Sequence, residues 1–234
     1  MRVRVVVVGV EGAVNLGFIA RTCLNFGVER LVLVEPVASI EEALNYSAKA
    51  RDYLLSADIV GSIREAVNGC DLVVATTGKG YSVGDYLRQA ISLRDFIELL
   101  RERSVGEIAV LFGRESTGLT RRELEEADFL VTIPANPEYP ILNLSQAVAI
   151  VLYELWLYRS SCVENIPPRA DKSLLEEDIV LVKEIVSRLG LSSEKVYRIN
   201  RVLERLLYRS MPSRYEARVL RYVLRRVLRR MSSG

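Results

Sequence analysis

Six short runs of apolar, largely β-branched residues recur along the chain: VRVVVVG (3–9), RLVLVE (30–35), ADIVG (57–61), DLVVATT (71–77), IAVLFG (108–113) and FLVTIP (129–134). Their hydrophobicity is near-continuous instead of alternating, the pattern of strands covered on both faces. Stretches with helical apolar spacing lie among them, at 15–26, 62–68, 92–103, 120–127 and 143–159. Strands alternating with helices dictate an α/β fold, a mostly parallel sheet with helices on both faces. The segment GKGYSVGDYLRQAI (78–91) matches neither template and reads as a loop with a short helix.

The composition changes after 159. SSCVENIPPRADKS (160–173) is a polar, proline-containing stretch, followed by helical patterns at 173–189, 192–209 and 213–231. Gly190 ends the first, Ser192 or Ser193 can cap the second, and the third follows Pro212. The expected organisation is a sheet domain over 1–160, a linker over 161–172 and a basic helical domain over 173–234. In the last helix Val219, Tyr222, Val223, Val227 and Met231 form one apolar stripe, and arginines fill most of the remainder. Between Val196 and Arg230 eleven arginines face only Glu204 and Glu216, a local charge of +9. The whole chain carries +2, so the rest carries −7. A merely solvated helix mixes signs more evenly, so the reading favours an anionic partner, nucleic acid first.

Several classes are excluded by what the chain lacks. It has no histidine, which removes the commonest general base and any Ser-His-Asp triad. Cys23, Cys70 and Cys162 are far apart with no C-x-x-C pair, so no metal site is expected and the thiols read as reduced. Lys79 is followed by glycine, against a P-loop, and Gly9, Gly12 and Gly17 do not make G-x-G-x-x-G. The opening MRVRVVVVGV is too short for a membrane span and lacks a signal-peptide cleavage pattern. A soluble protein of the cytoplasm, with no membrane partner, is the expectation.

Three loops follow strands and are rich in small or special residues: VEGAVNLGFIAR (10–21), FGRESTGLT (112–120) and IPANPEYPILNLSQA (133–147). Ligands of open α/β sheets sit beyond the carboxyl ends of the strands, so these loops can share a site. Asn15 suits a helix N-cap as well as a functional role. Arg21 lies over the turn holding Gly17, and a glycine there leaves room for the guanidinium to reach the loop beneath the strand ends; the bland alternative is a solvated charge. Glu115 can cap the helix that follows it, or pair with Arg21 or Arg114. Gly113 and Gly118 permit close backbone approach. Asn143 opens a strongly apolar helix, again at a capping position.

Taken together, N-x-G-x-x-A-R (15–21), F-G-R-E-x-x-G-L (112–119) and I-P-A-N-P-E-Y-P-x-L-N-L-S-x-A (133–147) resemble the three signature motifs of the SPOUT-class RNA 2′-O-ribose methyltransferases, especially the TrmJ-like branch that modifies transfer RNA. The resemblance covers residues 1 to about 160 in order and spacing, and the arginine-rich helical extension matches that branch. It implies a trefoil knot in the later part of the sheet domain, a homodimer, S-adenosyl-L-methionine as cofactor and no metal. It also implies methylation of tRNA in the anticodon stem-loop, at nucleotide 32. Carried over by position, Thr76, Thr77, Gly78, Gly113, Ile133, Pro140, Ile141 and Leu142 contact the cofactor, and Asn15, Arg21, Glu115 and Asn143 form the polar active-site set. The family commonly has serine before the Leu-Asn pair; Ile141 stands there, so a hydroxyl contact is lost. A ribosomal-RNA ribose methyltransferase and a non-catalytic RNA-binding protein of the same fold are the alternatives.

Overall fold

The computed structural model describes residues 1–78, 89–102, 104–159 and 167–232. The chain divides into two compact units, Met1–Ser161 and Cys162–Gly234. The first contains β1 (Arg2–Val8), α1 (Ala13–Asn25), β2 (Arg30–Val34), α2 (Ile40–Ala43), α3 (Arg51–Leu55), β3 (Asp58–Val60), α4 (Ile63–Ala66) and β4 (Leu72–Thr76). It continues with β5 (Ile91–Ser92), α5 (Leu93–Arg101), β6 (Glu107–Phe112), α6 (Arg121–Leu124), β7 (Phe129–Thr132) and α7 (Leu144–Arg159).

The strands form one seven-stranded sheet in the order β3-β2-β1-β6-β4-β7-β5. Every pairing is parallel. The continuous apolarity of the strands follows from this arrangement. Val3, Val5 and Val7 point to the face covered by α1, α5 and α7, where Leu16, Ile19, Phe96, Val148 and Leu152 are buried. Val6 and Val8 point to the other face, against Ile63 and Ala66 of α4 and Leu124 of α6. Of the two arginines of β1, Arg4 is the buried one, and its nitrogens are employed: they bond Glu107 and the carbonyls of Ala66 and Asn68.

All six strands and all five helices read from the pattern in this unit are present, with boundaries moved by a few residues. The short α2 and α3, and the two-residue β5, carry too few apolar residues to produce a period. The expected loop with a short helix at 78–91 falls mostly on 79–88, which lie outside the described residues. A knot requires the chain path through that segment, so the trefoil threading stays an expectation. Cys23 is buried and Cys70 half-buried, both as free thiols, and Cys162 lies outside the described residues.

The second unit is helical: α8 (Lys172–Ser187), α9 (Ser193–Ser210) and α10 (Arg214–Ser232). The α8 helix packs against both others. Asp171 caps α8, Ser213 caps α10, and Glu216 returns a bond to the Ser213 N–H. Ser192 occupies the N-cap position of α9 without a side-chain cap bond.

The α10 stripe of Val219, Tyr222, Val223 and Val227 does not face the unit's interior: these residues are 46%, 64%, 49% and 39% exposed. The packed face is Ala217, Leu220, Leu224 and Leu228, offset around the helix. The sequence carries two apolar stripes, and an arginine decides between them. Arg221 stands beside the buried one because Asp178 of α8, fully buried, receives its Nε at 2.8 Å, while Glu177 and the Leu174 carbonyl take its other nitrogens. Among the described residues, no helix is long and apolar enough to cross a membrane.

Candidate active site

Because every strand is parallel, all carboxyl ends lie along one edge of the sheet. The adjacent strands β1, β6, β4 and β7 therefore deliver their following loops to one place. A cavity of about 610 Å³ opens there, within the range of about 300–1,000 Å³ usual for small-molecule sites. Thr76 at the end of β4, Thr77 and Gly78 after it, Gly113 after β6, Ile133 after β7, and Pro140, Ile141 and Leu142 before α7 all line it. These are the eight residues expected at the cofactor. Glu115, Ser116, Leu119 and Leu144 add further walls.

The walls are built from tight backbone approach. A Cβ on Gly113 would fall 2.2 Å from the Gly118 carbonyl carbon, so the loop 113–118 can close on itself only with glycine at that point. Arg114 and Gly118 exchange backbone hydrogen bonds across it, with Gly118 at φ +69°. On the opposite wall a Cβ at Gly78 would meet Ile141 Cδ1 at 2.7 Å. Thr76 is held by its hydroxyl on the Leu111 carbonyl at 2.9 Å, and Thr77 N donates to the Val131 carbonyl at 3.0 Å.

Three of the four polar residues meet at this rim. Asn15 Nδ2 donates to Glu115 Oε1 at 2.8 Å, and Asn143 Nδ2 donates to Asn15 Oδ1 at 3.1 Å. Asn143 Oδ1 accepts from the Ser145 N–H and hydroxyl, so it also caps α7. The polarity of this chain is forced. A carboxylate accepts only, so Asn15 must turn its amide to Glu115, which leaves its oxygen for Asn143.

Asn15 is not the N-cap of α1; the helix opens two residues earlier, with Gly12 as cap and no side-chain bond of its own. Glu115 supplies that function from across the sheet, accepting from Gly12 N at 3.1 Å and Glu11 N at 2.9 Å. Nor does Glu115 cap α6, where Thr120 and Glu123 form a capping box, or pair with Arg114, which binds Glu123 at 3.0 Å. Burial raises the affinity of Glu115 for a proton, but the bonds from Asn15 and from the backbone at Glu11 and Gly12 outweigh it and hold the carboxyl below its usual range.

Arg21 is not brought to this cavity within the chain. It is exposed on α1, its guanidinium 5.6 Å from the Phe18 ring, with no ion pair among the described residues. The room at Gly17 serves another purpose: a Cβ there would lie 2.6 Å from both the Ala43 carbonyl oxygen and Tyr46 Cβ. The glycine admits the turn after α2, not the guanidinium.

One element escaped the sequence reading. Glu11 accepts from Ser116 N at 3.1 Å and Ser116 Oγ at 2.6 Å. With Glu115 bonded to the Glu11 N–H, the two loops exchange carboxylates. No local signal marks such a swap, because each partner is a common loop residue.

Comparison with known proteins agrees with this geometry. The family model described as the SpoU rRNA Methylase family matches residues 2–153. The chain is 38% identical to the tRNA (cytidine-2′-O-)-methyltransferase TrmJ of Sulfolobus acidocaldarius, over 99% of this chain and 96% of that one. It is 31% identical to the tRNA (cytidine/uridine/adenosine-2′-O-)-methyltransferase TrmJ of Pseudomonas aeruginosa, over 95% and 92%. The crystal structure of TrmJ from Z. mobilis ZM4 superposes with a TM-score of 0.65 at 29% identity, covering 97% of this chain and 99% of that one. With the second and third motif loops lining one cavity on a seven-stranded parallel sheet, and the first bonded to them through Asn15, the chain belongs to the SpoU family and is a methyltransferase.

Proposed function

We propose that the protein is a homodimeric enzyme of the cytoplasm that methylates a ribose 2′-hydroxyl of tRNA, at nucleotide 32 of the anticodon stem-loop, with S-adenosyl-L-methionine as donor. The observation that carries this reading is the bond chain Ser145–Asn143–Asn15–Glu115, which ties the three motif loops together at the mouth of one cavity. The relatives' names, tRNA 2′-O-methyltransferases over nearly the whole chain, support the substrate class.

The cavity fits the cofactor in size, and its walls of Gly, Pro, Thr and aliphatic residues suit contact through backbone groups. Thr76–Gly78, Gly113, Ile133 and Pro140–Leu142 would hold it, and it supplies an electrophilic methyl group when bound. Ile141 stands where the family resemblance implies a serine, leaving backbone contacts to do the orienting.

The remaining work falls to the chain's own residues. Glu115, with its proton affinity lowered and its oxygens already accepting, organises the loops and is a poor base. Asn15 and Asn143 orient the rim. An arginine side chain in general costs on the order of 7 kcal/mol to deprotonate at pH 7. Holding a phosphate beside the target ribose and stabilising the developing alkoxide is the cheaper role for Arg21, with the proton leaving late or to water.

Arg21 stands among Val14, Phe18 and Leu24, exposed apolar residues of α1, beside Ile150, Tyr153 and Leu157 of its packing partner α7. Such a surface suits a second copy of the chain. Arg21 then serves the site across the two-fold axis.

The test is mass-spectrometric mapping of methylated nucleosides after incubating bulk RNA with the enzyme and labelled cofactor. Label in tRNA at nucleotide 32 is expected. Label confined to ribosomal RNA replaces the substrate, and absence of any ribose methylation overturns the reading.

A further inference from the structure

The α10 helix has three sectors. Ala217, Leu220, Leu224 and Leu228 pack inward, with Arg221 sealed onto Asp178. A second sector holds the exposed valines 219, 223 and 227. The third is centred on Tyr222: at about 100° per residue, Tyr215, Arg218, Arg225, Arg226 and Arg229 fall within roughly 60° of it, with Val219 of the second sector at its edge. Tyr215 and Tyr222 are 76% and 64% exposed. Seven residues apart, they stand about 10 Å apart along the axis.

A groove of about 520 Å³ runs along this face, lined by six arginines and Tyr222 alone. Among the described residues, Arg218, Arg225, Arg226 and Arg230 have no carboxylate partner. The helix's single acidic residue, Glu216, is spent on the Ser213 cap.

We propose that this Tyr215–Tyr222 face of α10 is a stacking platform for unpaired RNA bases, with Arg218, Arg225 and Arg226 neutralising the phosphates between them. The proposal deepens the RNA-modifying function above and rests on it for the identity of the ligand. A row of guanidiniums alone fits any polyanion. Exposed rings set among them fit a strand whose base faces are open, because bases stack on aromatic side chains while arginines follow the backbone. Bases inside a duplex are stacked on each other and offer no face to a tyrosine. A membrane surface is the poorer match, since the leucine-rich side of the helix is already packed on α8, and the exposed apolar sector is only valine.

The experiment measures binding by the full chain without methyl donor. A fluorescent unstructured oligo-uridine and an RNA duplex of equal length are titrated across a salt series by anisotropy, with far-UV circular dichroism confirming each variant's helicity. Tyr222→Ala and Tyr215→Ala should each weaken the single strand roughly tenfold, leave its salt slope unchanged and leave the duplex within about twofold. Tyr222→Phe should retain most of the affinity. Arg225→Ala and Arg226→Ala should weaken both RNAs and flatten the single-strand slope by about 0.7 each.

Unchanged single-strand affinity in the tyrosine variants overturns the platform, as does equal loss on the duplex, or a Tyr222→Phe loss matching alanine. Preference for phosphatidylserine vesicles over RNA overturns it in favour of a lipid surface. Binding is read without catalysis, so an enzyme that methylates tRNA yet ignores these tyrosines refutes the platform alone. Tyrosine-dependent RNA binding without methylation refutes the activity alone.

Discussion

Asn15 and Glu115, 100 positions apart, are joined by a 2.8 Å hydrogen bond from the Asn15 amide, and the same Glu115 oxygen takes the N–H of the residue that caps the Asn15 helix. The carboxylate thus fastens both the start of α1 and a side chain three residues inside it. Three donors converge on two oxygens that have nothing to donate. Glu115→Gln puts an NH₂ in place of one oxygen, so a donor faces a donor. A loss of about 1–3 kcal/mol is expected in urea unfolding, with methylation falling at least about tenfold as the rim loses its geometry. A variant with wild-type rate would remove Glu115 from the site.

The same carboxylate sets an acid limit. Its native proton affinity is lowered from the ordinary value of 4.5, by bonds that exist only in the folded chain. Its contribution is therefore complete above that value and is lost as pH falls through the lowered native one. The stability gap between wild type and Glu115→Gln should stay level from about pH 7 to about pH 5 and narrow only on further acidification. A gap that closes near neutrality would contradict the bonding described.

At Gly17 two effects oppose each other. Alanine gains about 1 kcal/mol of helix propensity. Its Cβ, however, would sit 2.6 Å from the Ala43 carbonyl oxygen, which is backbone and cannot swing away. Overpacking of this kind costs about 1–3 kcal/mol, so Gly17→Ala should lower the melting temperature. A rise would show that the turn after α2 yields easily.

In the helical unit, Arg221 and Arg225 look alike in sequence and differ in position. Removing Arg221 strands the buried carboxylate of Asp178, at a cost of about 3–5 kcal/mol. Removing Arg225 on the exposed side should change stability by no more than about 0.5 kcal/mol. Thermal circular dichroism of Arg221→Ala and Arg225→Ala separates them, and the pair Arg221→Met with Asp178→Leu should recover most of the loss.

Arg21 and Asn143 belong to different places on one chain, and under the dimer proposal they meet only between chains. Arg21→Ala and Asn143→Ala homodimers should both be nearly inactive. A purified heterodimer of the two variants keeps one intact site, so about half of wild-type activity should return. No recovery means that Arg21 acts within its own chain or not at all.

The grouping of the loop residues was legible in the sequence. The eight positions expected at the cofactor all border one cavity, because a parallel sheet sends its loops to one edge whatever their sequences. What the sequence left open lay at polar residues with several possible partners. Asn15 looked like a cap and is not one; Asn143 is both a cap and a link in the rim. Glu115 had capping and two arginines as options, and took none of them. In α10 one apolar stripe carries tyrosine and valine and another carries leucine and alanine, and the core takes the second.

The sequence alone determined the layers: strands apolar on both sides must be covered on both sides, and helical spacing between them supplies the cover. It also determined the charge division, since eleven arginines against two glutamates need no fold to be counted. The tertiary structure alone decided which polar group answers which. A bond between residues 100 positions apart exists only because β1 and β6 lie side by side in a register that pairs Val7 with Phe112, bringing the loops after them together. Periodicity reports which face of an element is apolar, but not which neighbour, among many of equal chemistry, the register sets within hydrogen-bonding distance.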